Sequence, residues 1–113
     1  MKPWIVYLSG PITGDPNYKA HFEKAERIIR SVGTPSGTYI INPAVRHPPG
    51  LSQAEYMRLS LAEIDICSDV ALLPGWDDSD GACLEQAYAN YIGKPSFQMT
   101  DRFPDYYLKE DER

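Results

Sequence analysis

Apolar positions along the chain fall in short blocks whose period changes. Trp4-Ile5-Val6-Tyr7-Leu8 is aromatic or aliphatic at every position and stops at Ser9-Gly10-Pro11, the pattern of a strand buried on both faces. Over residues 18–32 the period lengthens. Phe22, Ala25, Ile28, Ile29 and Val32 recur at helical spacing, and Gly33 is placed to close that helix in the left-handed conformation. A turn at 34–37 leads to Tyr39-Ile40-Ile41, a second strand stopped by Asn42-Pro43. Residues 42–50 are expected to form a loop, because Pro and Gly fill four of the nine positions.

Ser52 is expected to cap a helix running through Cys67, with Glu55 completing a capping box and Met57, Leu61 and Ile64 sharing one face. Residues 69–73 predict a third strand, ended by Pro74-Gly75. Past a polar loop, a helix is expected over 81–92 with Leu84, Ala87, Tyr88 and Tyr91 as its packed face, then a fourth strand at 96–99. Strands alternating with helices, each strand apolar on both sides, predict an α/β fold. The expected architecture is a small Rossmann-like (flavodoxin-like) parallel sheet of about four or five strands with helices on both faces. In such sheets a ligand sits beyond the carboxyl ends of the strands, where the loops 9–14, 42–50 and 74–81 meet.

Composition narrows the picture. The 113 residues fit one domain, placed at 1–100, with 101–113 as a C-terminal tail. Its aromatics, Phe103, Tyr106 and Tyr107, suit packing on the protein's own sheet and a subunit interface equally. A hydrophobic fraction of 42% with 24% charged residues excludes a disordered chain. The net charge of -5, with no basic stripe, argues against a nucleic-acid polymer as partner. A small nucleotide held by backbone amides needs no such stripe. No apolar run is long enough for a transmembrane helix and no signal-peptide pattern opens the chain, so a cytoplasmic protein without a membrane partner is expected. Cys67 and Cys83 form neither a zinc pattern nor a disulfide framework, and read as buried thiols.

The candidate chemistry lies in the loops. Ser9, Gly10, Pro11, Ile12, Thr13 and Gly14 form a strand-to-helix turn whose glycines let backbone amides approach an anion, although it is neither a Walker motif nor GxGxxG. Glu85 falls near the start of a helix, where the dipole favours an ionised carboxylate. It is either a nucleophile or base, or merely a dipole partner. Asp69 opens the third strand, as a turn residue or as a group reaching the pocket. His21 and His47 lack partners at metal spacing and read as surface residues. Asp77, Asp78 and Asp80 lack the full calcium-loop pattern, so no metal and no cofactor is expected.

Taken together, Tyr7-Leu8-Ser9-Gly10-Pro11-Ile12-Thr13-Gly14, Ile41-Asn42-Pro43-Ala44, Cys67 through Leu73, and Gly75-Trp76 through Glu85 resemble a family of small bacterial and phage proteins, the domain of unknown function 4406. That family is similar to the nucleoside 2-deoxyribosyltransferases and nucleoside 5′-monophosphate N-glycosidases. The resemblance runs from Tyr7 to about Pro95. It implies that Gly81 and Glu85 present a nucleophile that attacks the anomeric carbon of a nucleoside and releases its base. It further implies that Asp69 assists, that Tyr7 hydrogen-bonds the nucleophile or sugar, and that Asn42 and the first loop help bind substrate. Ser79 stands where the glycosidases place a serine for the 5′-phosphate, and the transferases an aspartate for the 5′-hydroxyl. Thr13 stands where the glycosidases carry an arginine, which removes a charge-assisted contact of about 1.5–3 kcal/mol. Relatives assemble as homo-oligomers, and the same is expected here. The alternative expectation is a nucleotide-binding or sensing module that keeps the pocket without turnover. A purely structural or interaction protein is a third.

Overall fold

The computed structural model describes residues 3–31 and 37–99. Along the chain these form β1 (Ile5–Ser9), α1 (Tyr18–Ser31), β2 (Tyr39–Ile41), α2 (Pro43–Arg46), α3 (Gln53–Ile66), β3 (Asp69–Leu72), a 3-10 turn (Trp76–Asp78), α4 (Asp80–Tyr91) and β4 (Ser96–Gln98). The strands make one parallel sheet in the order β2-β1-β3-β4. Parallel neighbours require crossovers, and here helices supply them.

Alternation along β1 divides the core in two. Val6 and Leu8 point to the α1 face, where they pack with Phe22, Ala25, Ile29, Ile40, Ala71 and Leu73. Tyr7 points to the opposite face and packs with Ile41, Ile64, Val70, Leu72 and Ala89 beneath α3 and α4. Both faces are covered, so the central strands β1 and β3 are buried and largely apolar, while the edge strand β4 leaves Ser96 and Gln98 exposed. Phe22, Leu8 and Ile29 are essentially fully buried, each contributing about 1.5–3 kcal/mol of transfer free energy. The α/β fold is therefore the one expected, with four strands among the described residues.

The cap at α3 is also as expected. The Ser52 side chain accepts from Glu55 N, and the Glu55 carboxylate accepts from Ser52 N. Two expectations are corrected. The segment 42–50 is not all loop, because Asn42 caps the short helix α2, accepting from Ala44 N, with Pro43 in the first turn. Pro there loses no hydrogen bond and presets φ, so its presence favoured a helix start as much as a break. The packed face of α4 is also different. Ala82, Glu85 and Ala89 face inward with Tyr88 half-buried, while Leu84 and Tyr91 are 51% and 89% exposed and Ala87 is exposed too. Small residues let α4 lie close to the sheet, and that approach turns Glu85 toward the core.

Val32, Gly33, the turn at 34–36 and the tail aromatics Phe103, Tyr106 and Tyr107 lie outside the described residues. Among the described residues no helix is long and apolar enough to cross a membrane. Cys67 is buried, and burial pushes its thiol up to about 11, while Cys83 is half-buried.

Gly10 ends the sheet at a point of close approach. A Cβ built there would stand 2.7 Å from Leu73 Cβ, inside any real contact distance. Gly10→Ala is expected to destabilise the protein by about 1–3 kcal/mol, the range for overpacking. Urea denaturation checks this, and an unchanged midpoint would mean that β1 and β3 shift apart freely.

Candidate functional site

Two strand residues of one parity meet one helix residue at the carboxyl end of the sheet. Tyr7 and Ser9 are two apart in β1, so both side chains emerge on the α3/α4 face. Glu85 descends onto them from α4. Tyr7 OH donates to Glu85 Oε2 at 3.1 Å, and Ser9 Oγ donates to Oε1 at 2.6 Å. Each carboxylate oxygen therefore has its own hydroxyl donor. Glu85 is 8% exposed, Ser9 1% and Tyr7 fully buried.

Burial pushes the Glu85 carboxyl up from its ordinary value of 4.5, and the hydroxyls of Ser9, Ser60 and Tyr7 and the nearby His47 pull it back. Tyr7 is raised well above 10.0, first by burial and then by the Glu85 charge, so it stays a hydroxyl donor at neutral pH. Because α4 begins at Asp80, Glu85 lies in its second turn rather than its first. The dipole fades beyond the first turn, and the hydroxyls are the stronger support.

The carboxylate opens on a cleft of about 900 Å³, near the upper end of small-molecule sites. Tyr7, Gly10, Ile12, Thr13, Ser79, Gly81 and Glu85 all line it. Ser79 caps α4, its Oγ accepting from Ala82 N at 3.3 Å, so its hydroxyl hydrogen remains available to a ligand. At Gly81 a Cβ would meet only Met57 Cε at 3.8 Å, so the protein's own packing does not demand glycine there. Thr13 Oγ1 accepts from Gln53 Nε2 at 3.2 Å, tying the first loop to α3 across the cleft.

Other expected site residues lie elsewhere. Asp69 starts β3 at the amino end of the sheet, paired in register with Val6, and accepts from Trp4 Nε1 at 3.0 Å. Parallel strands put that end opposite the cleft, and Asp69 does not line it. Asn42 is buried as the cap of α2 and donates from Nδ2 to Glu26 Oε1 at 3.2 Å, holding the cleft rim to α1. Pro11 borders a smaller cavity of about 360 Å³ on the α1 face. Gly14 has φ +85°, a turn requirement, and does not line the cleft.

Two residues of the site escaped sequence reading. Ser60 is 4% exposed and lies beside Tyr7 and Glu85. Its signal was a polar residue between Met57 and Leu61 on the face of α3 that packs. His47 was expected at the surface, and that is corrected: its side chain is 8% exposed, lines the cleft, and sits 2.8 Å from Glu63 Oε1. His21 is exposed and paired with Asp15 at 2.7 Å. Among the described residues no group of three His, Cys, Asp or Glu is placed to hold a metal.

The sequence model of a domain of unknown function, DUF4406, matches residues 4–97. No curated protein matches the chain in sequence. Among solved structures, a 2-desoxiribosyltransferase from Leishmania mexicana is similar, with a TM-score of 0.63 at 16% identity over 87% of this chain and 65% of that one. The likeness is therefore one of fold, and this chain spans less than two thirds of the length of that protein.

A buried acid whose folded pKa is raised binds its proton more tightly folded than unfolded. Stability is therefore lost as pH rises from 4.5 through the raised value. Glu85→Gln is expected to melt higher than the wild type at neutral pH, with the gap closing below pH 4.5. Thermal melts across that range check it, and a variant less stable at neutral pH would mean the charged carboxylate is a net stabiliser.

Proposed function

The chain belongs to the DUF4406 family, and from that footing we propose that it cleaves the base–sugar bond of a nucleoside or nucleotide with Glu85 as nucleophile. The observation that carries this reading is the carboxylate itself. It is buried, each oxygen is held by a separate hydroxyl, and it faces a cleft large enough for a nucleoside. The fold likeness to a deoxyribosyltransferase supports the substrate class.

In this reading the sugar lies with its anomeric carbon against Glu85 and its 5′ end toward Ser79 and the start of α4. Tyr7 and Ser9 orient the carboxylate and favour its ionised form against the effect of burial. A Glu85 oxygen attacks the anomeric carbon, the bond to the base breaks, and a glycosyl ester remains on the protein. Water then gives hydrolysis, or a second base gives transfer. The raised pKa of Glu85 sets the acid limb of such a reaction above the ordinary glutamate value of 4.5, because only the ionised form attacks.

One observation favours a second reading, a nucleotide-binding module without turnover. Asp69, the assisting group in the resemblance, stands at the far end of the sheet bonded to Trp4. Chromatography of reactions with ribo- and deoxyribonucleosides and their 5′-monophosphates separates the two. Base release that Glu85→Gln lowers on the order of 10³-fold or more is the expected outcome. Ligand-induced stabilisation without any base release would move the assignment to the binding module. Full turnover by the variant would exclude Glu85 as nucleophile.

A further inference from the structure

Breaking the bond to the base has a second requirement that Glu85 does not meet. The electron pair of that bond goes to a base nitrogen, and an unprotonated base anion leaves poorly. A proton donor has to stand on the side of the cleft that receives the base. Tyr7 and Ser9 are committed to holding Glu85. Asp78 and Asp80 flank Ser79 at the start of α4, on the side assigned to the sugar's 5′ end. Asp69 is at the opposite end of the sheet.

His47 lies across the cleft, immediately after α2, with its side chain 8% exposed. Its Nε2 is 2.8 Å from Glu63 Oε1. An ionised carboxylate only accepts, so Nε2 carries the hydrogen, and Nδ1 is the ring nitrogen left without a partner among the described residues. The other Glu63 oxygen is held by Arg46 Nε at 2.9 Å. The imidazole also stacks on Tyr56, with ring centroids 6.0 Å apart and planes 12° from parallel. Its plane and its tautomer are therefore both set by neighbours on α3. A carboxylate on one nitrogen while the other faces the reacting group is how a working imidazole is oriented and its positive charge stabilised.

We infer that His47 is the general acid–base of this cleft, an inference that rests on the reading of Glu85 as nucleophile. As a Glu85 oxygen bonds to the anomeric carbon and the carbon–nitrogen bond breaks, His47, entering the step with a proton on each ring nitrogen, passes the Nδ1 proton to the departing base and is left as the neutral ring with its hydrogen on Nε2. In the second half, water or an incoming base attacks the same carbon. The ester bond breaks with its electron pair returning to the Glu85 carboxylate, and Nδ1 takes the proton from the attacking oxygen or nitrogen. The ring ends as it began. Glu63 is a positioning residue that acts through Nε2, and Arg46 fixes Glu63.

The test is base release by the wild type, His47→Gln and Glu63→Gln across nucleosides whose bases leave with graded ease. The series ends in an N7-methylated purine nucleoside, whose base departs without needing a proton. His47→Gln is expected to slow the unmethylated substrates by about 10²-fold or more while staying within about threefold on the methylated one. Glu63→Gln should show the same selectivity at about tenfold amplitude. Equal losses on both kinds of substrate, or no loss on either, would make His47 a structural residue and leave the role of Glu85 standing. No turnover by the wild type anywhere in the series would overturn both assignments. Thermal melts establish that each variant is folded, and if His47→Gln is not, the selectivity of Glu63→Gln decides.

Discussion

A carboxylate removed from water loses hydration worth several kcal/mol unless hydrogen bonds replace it, and Glu85, 8% exposed beneath α4, is under that constraint. The open end of the sheet is arranged to meet it. Tyr7 and Ser9 offer hydroxyls from one face of β1, and Ser60 stands beside them on α3. Ala82 and Ala89 keep α4 close enough for the contact. Hydroxyls suit this purpose because they donate without bringing a cation that would neutralise the charge. Burial wins over the donors, leaving the carboxyl above its ordinary value, so the site is stabilised by structure around it rather than by its own charge. That imbalance is consistent with the proposed role of Glu85 as a nucleophile.

The fold was legible because the relevant signals are periodic and local. Five apolar residues from Trp4 to Leu8, the helical recurrence of Phe22, Ala25 and Ile29, and the Ser52/Glu55 box each specify an element without reference to the rest of the chain. Where the reading missed, two local signals competed. Pro43 could break a segment or begin a helix, and Asn42 ahead of it favoured the helix. On α4 the apolar stripe Leu84, Ala87, Tyr91 suggested an inward face, but the inward face carries Glu85 between two alanines. Hydrophobicity alone could not show that a charge occupies the buried side, because its compensating hydroxyls come from a strand 76 and 78 residues away in sequence.

The site divides in the same way. Tyr7, Ser9 and Glu85 were visible as a strand end and a helix start, and the parallel sheet brings such ends together. Asp69 reads in sequence either as a turn residue or as a group reaching the pocket across a short strand, and even over four residues a parallel strand keeps its first residue at the other end, bonded to Trp4. Glycine gave a mixed signal. Gly10 is accounted for by its approach to Leu73 and Gly14 by its backbone angle, so neither requires a ligand. Gly81 has no such explanation within the protein and lines the cleft.

His47 shows why the remaining chemistry was hidden. Sequence places it among prolines in a segment that looked irregular, sixteen residues from the carboxylate that orients it. Only the packing of α2 against the rest closes that distance. The Asn42 cap starts α2, Arg46 at its end reaches both Tyr39 OH at 2.9 Å and Glu63, and His47 follows directly. A helix of four residues has little stability of its own. Its ties to α1 through Asn42, to β2 through Tyr39 and to α3 through Glu63 are what hold it. The cleft thus has two walls of different origin: β1 and α4 carry the buried carboxylate, while α2 and α3 carry an oriented imidazole. The proposed reaction attacks carbon from one wall and protonates nitrogen from the other, so the proton goes to the base and the Glu85 carboxylate keeps the charge that attacks.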